Sequence, residues 1–172
     1  MNTTVLTHLT DSLAAVLEGL IALHEAMHSV IGGKLEAMRA GDVDGMLAGA
    51  RHEAEIAEQV ERLSGERIRI VATLAAALKL PVTPSAVSLR MLAARLIGED
   101  RARLLGLASR LRERMVSVGE ANRTVEFVCR EMLVHFKTLF TCIVRGADSP
   151  ATYQRDGEMG CQAGVQVLDA LG

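Results

Sequence analysis

Aromatic side chains are nearly missing from this 172-residue chain: there is no tryptophan, one tyrosine (Tyr153) and three phenylalanines (Phe127, Phe136 and Phe140). Sheets draw on aromatic and β-branched residues, whereas helix-on-helix packing is readily built from Ala, Leu, Met and Val, so this scarcity points away from a β protein. Charge of either sign is in no excess, with a net charge of −2, which removes the electrostatic case for nucleic acid, since phosphate binding needs a concentrated basic face. Three cysteines, Cys129, Cys142 and Cys161, are odd in number and lack C-x-x-C spacing. They read as reduced thiols in a cytoplasmic protein. The opening "MNTTVLTHLTDS" lacks the basic and apolar regions of a secretory signal. The longest charge-free and mostly apolar run, "IVATLAAAL", is far shorter than the roughly 20 residues needed to cross a bilayer, so no membrane insertion is expected.

What is present is helical rhythm. Leu6, Leu9, Leu13, Val16, Leu20, Leu23, Met27 and Val30 follow one another in steps of three and four, an a/d heptad seam that predicts a helix over about 3–39. "AGDVD" breaks it, with Gly41 suited to a C-terminal cap and Asp42 to an N-cap. So short a break predicts an antiparallel return over about 43–79, on Ile56, Val60, Leu63, Ile70, Leu74 and Ala77. Thr83 and Pro84 predict a short helix over about 84–97. A last helix over about 99–145 carries the seam Leu104, Ala108, Leu111, Met115, Val118, Asn122, Val125, Cys129, Met132, Phe136, Leu139 and Ile143. Asn122 is its one polar member and is either a buried register-setting amide or a residue at a groove or edge. The expected fold is all-α: an elongated antiparallel bundle of three long helices and one short one with coiled-coil-like packing, a single domain over residues 1–157. The glycine-rich residues 158–172 form an expected flexible tail.

One stretch asks for chemistry. In "LHEAMHS", His24, Glu25 and His28 fit H-E-x-x-H, where two imidazoles one turn apart grip zinc and the glutamate works on bound water. With Leu20 at a and Leu23 at d, these residues fall at e, f and b, on the flank and outer face of the helix. A catalytic zinc also needs a third protein ligand and groups that hold each imidazole. The metzincin continuation would place a histidine where Lys34 stands. A di-iron reading of Glu25 and His28 lacks its second Glu-x-x-His. The expectation is therefore no enzyme, no catalytic residue, no cofactor and no dedicated metal site, although the pair could take Zn²⁺ or Ni²⁺ adventitiously. A zinc-dependent hydrolase and a generic coiled-coil adaptor stand as the competing readings.

The order of elements, with "AGDVDGML" at the hairpin corner, "ERIRIVATLAAALKLP" closing the second helix, "VGEANRTV" in the last and "RGADSPATYQRDG" after it, resembles the FlgN family of flagellar type III export chaperones. The matching features fall on Gly41 and Asp42, Arg67, Asn122, and Tyr153 with Gly157, over roughly residues 5 to 157. Two departures are "LKL" where a glycine is usual and Gln154 where an aspartate is common. The resemblance implies a cytosolic chaperone, monomeric or homodimer-capable. It would hold C-terminal segments of hook–filament junction proteins and present them to the export apparatus. Its client-binding surface would be the C-terminal half of the last helix plus the tail, with Val125, Met132, Phe136, Leu139, Phe140, Ile143 and Tyr153 as the residues expected to carry it.

Overall fold

A computed structural model of the chain describes residues 3–80 and 87–147. Among the described residues the fold is all-α, with α1 at Thr3–Ala40, α2 at Val43–Ala77, α3 at Leu89–Ala93 and α4 at Glu99–Ala147. The chain divides into two compact units, Met1–Val125 and Glu126–Gly172. That division falls inside the 1–157 span that the seams suggested as one domain.

The first corner is built as its sequence indicates. Gly41 takes φ +69°, its N–H donates to Met38 O, and the Asp42 N–H donates to Ala37 O at 2.9 Å. These bonds satisfy carbonyls that the end of α1 would leave without partners. The Asp42 side chain then accepts from the Gly45 N–H at 2.9 Å, capping α2, and Asp44 in the first turn complements the helix dipole. From that corner α2 runs back along α1. Lys34 ion-pairs with Glu53 close to the turn. Farther from it the helices come so close that a methyl placed on Gly19 would lie 3.0 Å from Leu63 Cδ1.

The end of α2 is less expected. The Leu80 N–H donates to Ala75 O and the Lys79 N–H to Ala76 O, the same closing pattern as at Gly41. Here the left-handed residue is Lys79, at φ +51°, where a glycine would sit without strain. The helix therefore stops through a strained cap at Lys79. Lys79→Gly should raise stability by about 1 kcal/mol, read from the urea midpoint at an unchanged m-value. A lower midpoint would contradict this account of the cap.

The short helix is shorter than the Thr83–Pro84 signal suggested. It runs from Leu89 to Ala93, with Ser88 as its N-cap, the side chain accepting from the Met91 N–H. Thr83 and Pro84 lie outside the described residues. Val87 and Ser88 are not helical, and Gly98 at φ +68° separates this segment from α4.

The core sits where three long elements and α3 meet within Met1–Val125. Leu13, Leu17, Leu20, Leu74, Leu92 and Leu104 are fully or almost fully buried in it, together with Leu107 and Leu111. The α1 seam read from sequence is only half of the buried stripe. A second row, Thr10, Ala14, Leu17 and Ile21, is buried beside it, so the N-terminal half of α1 is covered from two sides. Thr10 tolerates this because its hydroxyl donates to Leu6 O at 2.9 Å. Toward the corner, Leu23, Met27 and Val30 are only half-buried.

The stretch Val5–Ala40 is long and apolar enough to cross a membrane by length and composition, a property that counting charge-free runs alone had missed. Within it Leu13, Ala14, Val16, Leu17, Leu20 and Ile21 are buried in the core. Its acids Asp11 and Glu18 meet Arg103 of α4 at 3.0 and 3.2 Å.

Candidate functional site

The H-E-x-x-H residues do not converge. His24 Nδ1 donates to its own Leu20 carbonyl at 2.7 Å, an in-helix bond that fixes the ring against its helix. Glu25 Oε1 forms an ion pair with Arg114 Nε at 3.0 Å, so the glutamate placed on the outer face is in fact engaged by α4. Each partner of that pair is about half exposed, and such a contact contributes at most about 1 kcal/mol. His28 is exposed. Among the described residues no group of three His, Cys, Asp or Glu side chains is placed to hold a metal ion.

The feature that does stand out is the C-terminal half of α4, in the unit Glu126–Gly172. Phe136 is 61% exposed, Leu139 58%, Phe140 64% and Ile143 69%. Leu133 and Val144 are exposed as well, and Met132 is half-buried. At 100° per residue, Val128, Met132, Leu133, Phe136, Leu139, Phe140, Ile143 and Val144 share a face about 160° wide that carries no charge. Lys137 stands at the margin of this face, about 20° beyond Val144, and the other side holds Arg130, Glu131 and Thr141 together with the exposed Val134, with the Arg130–Glu126 ion pair at 2.8 Å along one flank. From Val128 to Val144 this face is about 24 Å long at 1.5 Å per residue. An amphipathic helix normally spends so broad a face on a core. Exposed contiguous apolar surface of this extent marks an interaction site.

The structure treats the sequence-derived surface residues unequally. Phe136, Leu139, Phe140 and Ile143 lie together on the bare face, with Met132 at its margin. Val125 is 7% exposed and so does not share the bare face. Tyr153 lies outside the described residues. Leu133 and Val144 belong to the face although seam reading passed over them. The signal was available, because Leu133, Phe140 and Val144 form a second row one position beyond the seam, interrupted by Lys137, much as the second row of α1 does. Asn122 is exposed, so it stands at an edge and is not a buried register-setting amide. Met115, on the seam, is 52% exposed.

A family model described as FlgN protein matches residues 1–160. No curated protein and no solved structure compared with the chain matches it.

Proposed function

This chain belongs to the FlgN protein family, and on that premise we propose that it is a cytosolic flagellar export chaperone whose bare α4 face covers the C-terminal segments of hook–filament junction proteins. The observation that carries this reading is the charge-free face from Val128 to Val144, with two phenylalanines more than half exposed. A client segment that later assembles through an amphipathic helix would aggregate or assemble early with its apolar side in water. Docking that side on another helix's apolar face removes both hazards, and the helix-in-groove mode supplies anchors at i, i+3, i+4 and i+7. Phenylalanine is suited to the role because it buries a large area for the loss of only two torsions. Met132 can reshape to a client without loss of packing. Tyr153 belongs to the proposed set of client contacts, and the chaperone acts as a monomer or homodimer. Release at the export apparatus then exchanges one apolar partner for another and needs no chemistry from the chaperone.

Calorimetric titration of the full chain with a junction-protein C-terminal fragment tests the reading. One saturable site is expected, unchanged within about twofold by EDTA or by Glu25→Gln, because Glu25 contributes only its half-exposed contact with Arg114. No binding of the fragment, with a chelator-sensitive peptidase activity that Glu25→Gln abolishes, would overturn it in favour of the zinc hydrolase.

A further inference from the structure

A cleft of about 780 Å³ opens within Met1–Val125, walled by the end of α2, the start of α3 and the first half of α4. Arg67, Arg90 and Arg112 are among its eleven lining residues, and no aspartate or glutamate is. Among the described residues none of these three arginines forms an ion pair. Other arginines of α4 do find acids: Arg103 reaches Asp11 and Glu18, and Arg114 reaches Glu25. Three arginines without ion pairs on one concave surface are unusual on a chain whose net charge is −2, and the neighbouring carboxylate Glu113 accepts from Ser109 of the lining at 3.2 Å and pairs with none of them. The rest of the lining is mainly apolar, and Ile68 within it is 57% exposed.

From this combination we infer that the cleft is a second docking site, separate from the bare face of α4, and that its occupant is an acidic amphipathic peptide segment. The apolar lining gives the segment a surface on which to bury one side. The arginines offer planar, bidentate donors to carboxylates beside that side. A cleft focuses this positive potential toward an approaching acidic segment and speeds its capture. Along α4 the lining runs from Leu105 to Arg112, about 10 Å at 1.5 Å per residue, which matches about two turns of a bound helix. Apolar lining distinguishes this partner from a nucleic acid, whose backbone calls for a polar basic track, and concavity distinguishes it from a bilayer surface. The inference stands independently of the client-binding reading, since it uses no residue of the α4 face.

Fluorescence anisotropy with the full chain tests it. The probe is a labelled 16-residue helical peptide with leucines at i, i+3, i+4 and i+7 and glutamates elsewhere. Control probes are the same peptide with lysine for glutamate, a 12-nucleotide single-stranded RNA, and vesicles of phosphatidylglycerol and phosphatidylcholine. The acidic peptide should bind with an affinity that falls as salt rises, and the lysine version should bind at least tenfold more weakly. Arg67→Glu, Arg90→Glu and Arg112→Glu combined should weaken the acidic peptide at least tenfold, and Ile68→Asp at least fivefold. Phe136→Glu with Phe140→Glu should change it less than twofold. If the triple charge reversal lowers helicity, the Arg→Gln triple replaces it with the same expected direction. Equal binding of both peptides overturns the inference. So does a peptide affinity indifferent to the arginines, or one lost with the phenylalanines. Arginine-dependent binding of RNA or vesicles without binding of the acidic peptide overturns it too, in favour of a phosphate-bearing partner.

Discussion

Replacing Phe136 and Phe140 together with glutamate is expected to weaken capture of a junction-protein C-terminal segment by about a hundredfold or more while leaving the thermal midpoint almost unchanged. The two halves of that outcome have separate causes. Aromatic anchors near the centre of an interface each contribute about 2 kcal/mol or more, and every 1.4 kcal/mol is a tenfold change in affinity, so losing two reaches a hundredfold with margin. Both rings are more than half exposed in the unbound protein, and substitutions at such positions change stability by about 0.5 kcal/mol or less. A glutamate pair adds two charges to a face that has none, which strengthens the loss of binding. Titration calorimetry and a melting curve on the same variant separate the two quantities. A collapse in stability would show that the rings pack inside the free protein. Unchanged affinity would place the client elsewhere.

The largest expected effect on stability comes from α1. Leu17→Ala should cost about 3 kcal/mol, because Leu17 is 0% exposed and a Leu→Ala change in a closed core loses transfer energy and leaves a cavity. In a chain of this length that corresponds to a midpoint lowered by about 6–12 °C. Leu23→Ala, at a half-buried seam position nearer the corner, should cost about 1 kcal/mol. Urea titration of both variants checks the order. Equal losses would mean that the single seam, and not the doubled one, describes how α1 is packed.

That contrast also marks how far the residues alone could lead. The three–four rhythm identifies a helix and one of its faces, which is why α1, α2 and α4 and the hairpin corner at Gly41 and Asp42 were legible. Rhythm does not say how many neighbours a helix has. Leu17 and Ile21 were apolar in plain view, but only a second packed neighbour makes their row part of the core. The same blind spot on α4 hid Leu133 and Val144. It also concealed the burial of Val125, because membership of a seam does not say which of its members are already covered. Glu25 shows the converse. Its heptad position correctly kept it out of the core, yet position could not reveal that Arg114 on a distant segment reaches it. Lys79 illustrates a third kind of miss. The lysine was noticed as a departure where the family has glycine, but nothing local states that the backbone keeps the left-handed turn there. The cleft with Arg67, Arg90 and Arg112 was beyond reach, since its residues come from three elements separated in sequence and share no spacing.

Hydrogen–deuterium exchange on the full chain, with and without a saturating junction-protein C-terminal fragment, tests the client-binding face most directly. Backbone amides inside a helix lose protection when it frays and gain it when a partner is laid along it. Slowed exchange concentrated in residues 126–144 is the expected result, with the α1–α2 hairpin unchanged. Protection confined to the hairpin or to the arginine-lined cleft, with 126–144 exchanging as fast as in the free chain, would contradict it.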